Sequence, residues 1–230
     1  MSHPVLEGLA RARHSAVHLE MRDAYQPDDP EFLAWQRGKR LDPAGDRSTW
    51  WRPFLNVVVD TTARGVAMRR ARVVSEPVTD YIRYEYDVTF PNVEAGESVR
   101  WLPRRDAADL ALPATDLWMF DDETVLFTHF SGVGEVVGRE LRTDPVVVEL
   151  VRNAFETVWE RAIPHADYRP LRDPNGCEQL PPFPAVFPSP TVTPPATLSH
   201  EGGTSCPCVS SVRTPNPGTT DRPRCGWTRA

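Results

Sequence analysis

The chain of 230 residues is long enough for one domain or two small ones, and it is acidic, with 32 Asp and Glu against 26 Lys and Arg. This balance argues against direct nucleic-acid binding, which usually needs a basic face, and no apolar run reaches the roughly 18 residues that span a bilayer. Charged residues also interrupt the N-terminus where a signal peptide would be apolar, so we expect a soluble, cytoplasmic protein without membrane contact.

The N-terminal part of the sequence predicts three helices and one strand. Apolar spacing indicates a short helix from about Leu6 and then a strand that ends near Tyr25. Asp29–Pro30 provides the cap and first turn of a second helix, which Gly38 ends, and a third helix runs over Pro53–Arg64. The third helix is expected to bury Phe54, Leu55, Val58 and Val59.

The central part contains one ambiguous segment. Strands are predicted over Val66–Val74 and Ser98–Leu102. Residues 78–90 lie between them. Apolar and polar residues alternate in this segment as they would in a strand, yet the segment also fits a helix that begins at Thr79. Parallel pairing of the two strands needs a long crossover, so we favour the helix.

The C-terminal part of the folded region predicts three short strands and a long helix. Leu117–Phe120 and Val125–Phe130 form a hairpin, and Gly132 and Gly134 turn the chain into a third strand. Asp144 caps the last helix and a proline stops it. The buried stripe of this helix is expected to hold Val147, Leu150, Val151, Ala154, Val158 and Ala162.

Together these elements predict a single α/β domain over residues 1–170, with helices packed on a mixed sheet. Residues 171–230 hold 12 of the 24 prolines, all four cysteines and only nine Leu, Ile, Val or Phe, too few to offset the entropy cost of ordering them. We therefore expect a proline-rich, disordered tail. Its residues show no periodic spacing, and such a composition is also typical of a frame-shifted extension.

Motifs for metal, nucleotide or nucleophile chemistry are weak, so we expect no catalytic residue, no metal site and no cofactor. His14 and His18 have the spacing of two zinc ligands on a helix, but His18 is predicted in a strand. Gly132, Gly134 and Gly138 are spaced one residue too widely for a dinucleotide-binding loop. The folded part has neither a nucleophile elbow nor a cysteine.

Charged side chains provide the candidate site. Several arginines lie in or just after the strands predicted over 66–74 and 98–102, and if they converge they would bind an anion. The alternative, which we favour, is that these arginines form ion pairs with Asp80, Glu85, Asp87 and Glu97. The acids at 121–123 fit a solvated turn, whereas Asp116 lies at a strand entrance. The candidate anion-binding or ligand-binding residues are Arg70, Arg72, Arg100, Arg104 and Asp116.

Four segments closely resemble one actinobacterial family, known as domain of unknown function 6879. They are Arg13–Tyr25, Ala71–Arg83, Ala95–Arg104 and Trp159–His165, within a match from about residue 5 to 168. Members of that family are commonly encoded beside helix-turn-helix regulators, so the resemblance implies a transcriptional regulator as partner. Relatives usually carry Gly-Asn-Asp where this chain has Ala114–Asp116, which puts any role of that asparagine in doubt here.

More loosely, the order of elements resembles half of a phospholipase D-type fold, but the catalytic His-x-Lys of that superfamily is absent. Two functions therefore remain open. The first, which we favour, is a non-catalytic accessory or ligand-sensing domain that works with a helix-turn-helix transcriptional regulator. The second is an enzyme acting on a phosphorylated or nucleotide-like small molecule, in which arginines hold the anion and Asp116 or Asp121 assists.

Overall fold

The computed structural model describes residues 3–25, 28–132 and 134–171, which form a seven-stranded sheet with helices on both faces. The strands are β1 (Ser15–Glu20), β2 (Ala67–Val74), β3 (Ser98–Pro103), β4 (Leu117–Phe120), β5 (Thr124–Phe130), β6 (Val136–Arg142) and β7 (Ile163–Pro164). The helices are α1 (Pro4–Arg11), α2 (Pro30–Gln36), α3 (Pro53–Ala63), α4 (Asp80–Asp87), α5 (Phe90–Glu94) and α6 (Pro145–Arg161). The predicted mixed α/β fold is therefore confirmed, although β1 ends at Glu20 rather than near Tyr25.

The strand order is β6-β5-β4-β1-β2-β3-β7, and the sheet is parallel only at its centre. β1, β2 and β3 pair in parallel, whereas the remaining neighbours are antiparallel. The chain from β2 to β3 passes through α4 and α5, which form the crossover that parallel pairing needs. The ambiguous segment is therefore helical, and the Thr79 hydroxyl caps α4 by accepting the N–H of Ile82.

Side chains that alternate along β1 face two separate layers of the fold. Val17 and Leu19 pack in a cluster with the buried side of α6, on what we call the α6 face of the sheet. Ala16 lies on the opposite face, in a cluster with residues of α1 and α3. His18 and Glu20 follow Ala16 on that same face, because a strand alternates every two residues. We call this the cavity face, for the cavity described below.

Two positions predicted to be buried are in fact exposed. Leu150 of α6 is 56% exposed, and Val59 of α3 is 36% exposed. In α6 the buried side instead includes Val148 and Phe155. The apolar run Val146–Val148 fits more than one helical stripe, so spacing alone did not determine which side of α6 packs on the sheet.

The predictions for the C-terminal segment lie outside the described residues, except at Leu171. These predictions are the disordered tail and its origin as a frame-shifted extension. The carbonyl of Leu171 accepts a hydrogen bond from the N–H of Val78 at 3.1 Å, so the described chain is attached to the domain up to this residue. None of the helices in the described ranges combines the length and apolar character needed to cross a membrane.

Candidate ligand-binding cavity

A cavity of about 1110 Å³ opens on the cavity face, beside the carboxyl ends of β1 and β2. Glu20 and Arg72 contribute from these strands, Trp118 contributes from β4, and Tyr81 and Glu85 contribute from α4. Aromatic rings and ionisable groups therefore line the same space. Its volume is similar to that of protein sites for small molecules, which measure about 300–1000 Å³.

Two arginines of β2 form a buried ion-pair network with three glutamates. Arg70 Nε lies 2.9 Å from Glu97 Oε1, and Arg70 Nη1 lies 2.9 Å from Glu20 Oε1. Arg72 Nε lies 2.6 Å from Glu20 Oε2, and Arg72 Nη1 forms an ion pair with Glu85. Glu20 therefore bridges both guanidinium groups.

The network keeps both guanidinium groups charged. Burial lowers the pKa of Arg70, but the charges of Glu97 and Glu20 outweigh this effect, and the pKa is raised overall. Burial also lowers the pKa of Arg72, but the charges of Glu20 and Glu85 outweigh this effect, so the pKa of Arg72 is raised as well. Two of the four acids that the sequence suggested as partners, Glu85 and Glu97, are thus partners of these arginines.

His18 lies beside the network as a neutral ring. Its imidazole stacks on the Trp118 indole, with 4.2 Å between the ring centroids and 17° between the planes. Its Nδ1 lies 3.4 Å from Glu20 Oε1. Burial, and then the charge of Arg70, hold the pKa of His18 well below its ordinary value. The ring therefore contributes an uncharged aromatic surface to the cavity.

Asp116, which precedes β4, is a buried carboxylate that lines the cavity without an ion-pair partner. It is 3% exposed, its Oδ1 accepts the N–H of Met21 at 2.9 Å, and the hydroxyl of Tyr25 lies beside it. Burial raises the pKa of Asp116 to about 6, although the Tyr25 hydroxyl and the Met21 N–H act in the opposite direction. No basic side chain of the described ranges forms an ion pair with this carboxylate.

The other two candidate arginines do not line the cavity. Arg100 lies on the α6 face, where its Nη1 donates to the Trp159 carbonyl at 2.9 Å and its guanidinium lies over the Trp159 ring. Arg104 donates to the carbonyls of Met21 and Val73, and so connects the ends of β1 and β2. The candidates that the fold brings together in the cavity are Arg70, Arg72 and Asp116.

His18 and Glu20 were missed as site residues, although the sequence carried a signal for them. His18 and Glu20 are two residues apart in β1, and Arg70 and Arg72 are two residues apart in β2. The parallel register places His18 opposite Arg70 and Glu20 opposite Arg72. The matched spacing within each strand was the signal in the sequence, but it produces a shared polar cluster only in this register.

Asp121 has a structural role at the hairpin between β4 and β5. Its carboxylate accepts the backbone N–H groups of Arg13, His14 and Ser15 at 2.7 to 3.1 Å. Burial raises the pKa of Asp121, but these hydrogen bonds outweigh burial and lower it overall. Asp121 and Asp122 both have positive φ, 53° and 54°, as the predicted turn requires.

The comparisons with known proteins give one family, and the similar solved structures include two that align weakly with this chain. A family model described as a domain of unknown function (DUF6879) matches residues 5–170. The comparison with curated proteins found no match. Nuc, a phospholipase D family member from Salmonella typhimurium, aligns with a TM-score of 0.39 and 13% identity, over 70% of this chain and 87% of that chain. TrmBL2, an archaeal chromatin protein with a novel mode of DNA binding, aligns with a TM-score of 0.40 and 15% identity, over 69% of this chain and 48% of that chain.

Proposed function

Because the chain belongs to the DUF6879 family, whose description names no activity, we propose a function from its own geometry. We propose that it is a non-catalytic, ligand-sensing domain that binds a small molecule in the cavity. The observation that carries this proposal is the cavity of about 1110 Å³, lined by aromatic rings together with fixed ionic groups. Sites for small molecules combine these two kinds of lining, since apolar walls supply affinity and a few polar groups fix orientation.

The arrangement of the ionic groups favours binding over chemistry. Arg70 and Arg72 are engaged by glutamates, and His18 is stacked on a neighbouring ring. A general acid or base needs access to the reacting atoms at hydrogen-bond distance. Groups that already hold one another in place are better suited to a rigid binding surface.

The second part of the proposal is a partner, a helix-turn-helix transcriptional regulator that responds to the ligand state of this domain in the cytoplasm. It is supported by the family resemblance, since relatives are commonly encoded beside such regulators. The direct test is co-purification of the full chain with the regulator encoded next to its gene. Reproducible failure of the two proteins to bind would remove this part and leave the ligand-binding part in place.

Two adjacent valines of β6 provide a matched test of the cavity. Val136 lines the cavity and is 45% exposed, whereas Val137 is 64% exposed and does not line it. We would measure thermal shifts of the full chain with a panel of nucleosides, amino acids, organic amines and sugar phosphates. At least one class should raise the Tm of the wild type and of Val137→Trp but not of Val136→Trp. If no class raises the wild-type Tm, or if both variants respond equally, the proposal is wrong.

One observation favours the second candidate function, an enzyme acting on a phosphorylated or nucleotide-like small molecule. Arg70, Arg72 and Asp116 line one cavity, as such a site would require. Turnover of a phosphorylated substrate by the wild type, with turnover lost and substrate binding retained in Asp116→Asn, would support this enzyme in place of the sensing domain.

A further inference from the structure

We infer that the small molecule bound in the cavity carries a cationic ammonium group, which forms an ion pair with the carboxylate of Asp116. This inference rests on the proposed function, because it assigns a chemical class to the ligand of the same cavity. Three features carry it: the unpaired state of this carboxylate, the excess of carboxylates over arginines around the cavity, and the aromatic rings beside it.

The first feature is that Asp116 lacks a positive partner. It is 3% exposed, its Oδ1 accepts the N–H of Met21, and the Tyr25 hydroxyl lies beside it, and both of these groups are neutral. Arg22 lowers the pKa of Asp116 through its charge, but the Arg22 guanidinium lies over the Phe130 ring, 4.6 Å from the centroid. Buried carboxylates normally pair with a cation, and one that lines a cavity without such a partner is suited to receive it from a ligand.

The second feature is the charge balance around the cavity. The buried ion-pair network contains two guanidinium groups and three carboxylates, so its arginines are already neutralised. A phosphate or carboxylate ligand could also contact Arg52 or Arg139, but six carboxylates outnumber four guanidinium groups among the residues that line the cavity. An ammonium group adds a positive charge where the cavity has an excess of negative charge, so a cation is the complementary ligand.

The third feature is the aromatic surface beside Asp116. The rings of Tyr25 and Phe130, both of which line the cavity, lie 5.9 Å apart between centroids. The N–H of Thr128 donates to the backbone carbonyl of Asp116 at 2.9 Å, which joins the backbone of Asp116 to the strand that carries Phe130. Aromatic faces attract ammonium groups electrostatically and also cover the apolar part of an amine ligand.

Three probes with the same phenethyl group and different head groups test this inference. We would titrate the full chain with phenethylammonium, phenethyl alcohol and phenethyl phosphate, and follow binding by NMR. The wild type should bind the ammonium probe at least about tenfold more tightly than the alcohol, because the ion pair is a charge-assisted contact. The isosteric variant Asp116→Asn should lose this preference, whereas the control Asp122→Asn, at the hairpin turn, should keep it.

The outcomes separate the inference from the proposed function. If the alcohol or the phosphate binds more tightly than the ammonium probe, and Val136→Trp blocks that binding, the ligand class is wrong and the sensing cavity stands. If none of the three probes binds the wild type, or if Asp116→Asn keeps the ammonium preference, the inference is overturned. The proposed function is then decided by the broader panel and the paired valine variants.

Discussion

Asp116 and Glu97 are both almost fully buried carboxylates, but they differ in what surrounds them. Glu97 is 2% exposed, forms an ion pair with Arg70 and accepts a hydrogen bond from Asn92 Nδ2 at 2.6 Å. The Asp116 carboxylate instead accepts a hydrogen bond from the N–H of Met21, which is a neutral donor. The cost of burying a charge is therefore offset at Glu97 and not at Asp116, so the fold is less stable when Asp116 is ionised.

The stability of the fold should depend on pH through Asp116. Its pKa of about 6 in the folded protein lies above the value of about 3.9 for an unfolded chain, so ionisation of Asp116 disfavours the fold. The penalty is fully present above pH 6 and is relieved as the pH falls toward 4. Asp116→Asn cannot ionise, so we expect its free energy of unfolding at pH 7.5 to exceed that of the wild type by up to roughly 3 kcal/mol. Urea unfolding of both proteins between pH 4 and 8 measures this difference in free energy. The difference should vanish near pH 4. A difference that does not change with pH would contradict the prediction.

Among the elements, the hairpin between β4 and β5 holds the connection from α1 to β1 through one side chain. Asp121 accepts three consecutive backbone N–H groups from residues 13–15, which would otherwise lack partners at the start of β1. The N–H of Asp121 in turn donates to the carbonyl of Ser15 at 2.9 Å. The turn that separates two strands thus also fixes a third strand beside them.

The two aspartates of this turn allow the effect of the carboxylate to be measured separately from backbone strain. Both have positive φ, so replacing either one by alanine costs the same in backbone conformation. Only Asp121 accepts the three N–H groups, and Asp121→Ala should therefore lower the free energy of unfolding by about 1–2 kcal/mol more than Asp122→Ala. Urea unfolding at neutral pH is the measurement. Equal losses in the two variants would mean that these hydrogen bonds contribute nothing.

For the molecule as a whole, the end of the described chain belongs to the domain. The Tyr168 ring stacks on Trp101 at 5.4 Å between centroids, and its hydroxyl donates to Glu76 Oε1 at 2.8 Å. The carbonyl of Leu171 accepts the N–H of Val78. Among the described residues, contacts to the domain thus reach Leu171, one residue beyond the boundary near Pro170 that the sequence indicates.

A chain that ends at Leu171 should therefore fold as the full chain does. We expect the two proteins to unfold at the same urea midpoint within error, because the contacts of Tyr168 and Leu171 remain. A chain that ends before Tyr168 serves as the control. It should lose roughly 3–5 kcal/mol, since it removes a buried aromatic side chain. Unfolding of the chain that ends at Leu171 would show that residues 172–230 contribute to the domain.

The sequence by itself determined the features that depend on neighbours along the chain. Asp29, Thr79 and Asp144 are helix caps as predicted, because a cap needs only its own side chain and the next few N–H groups. Alternation likewise indicated β1, but the same pattern occurs in α4, where it did not produce a strand. Tertiary structure alone decided which side of α6 is buried. It also placed Glu20 next to Arg72 and placed Arg100 on the opposite face of the sheet. These outcomes depend on strand register and on the packing of distant segments, which local periodicity does not encode.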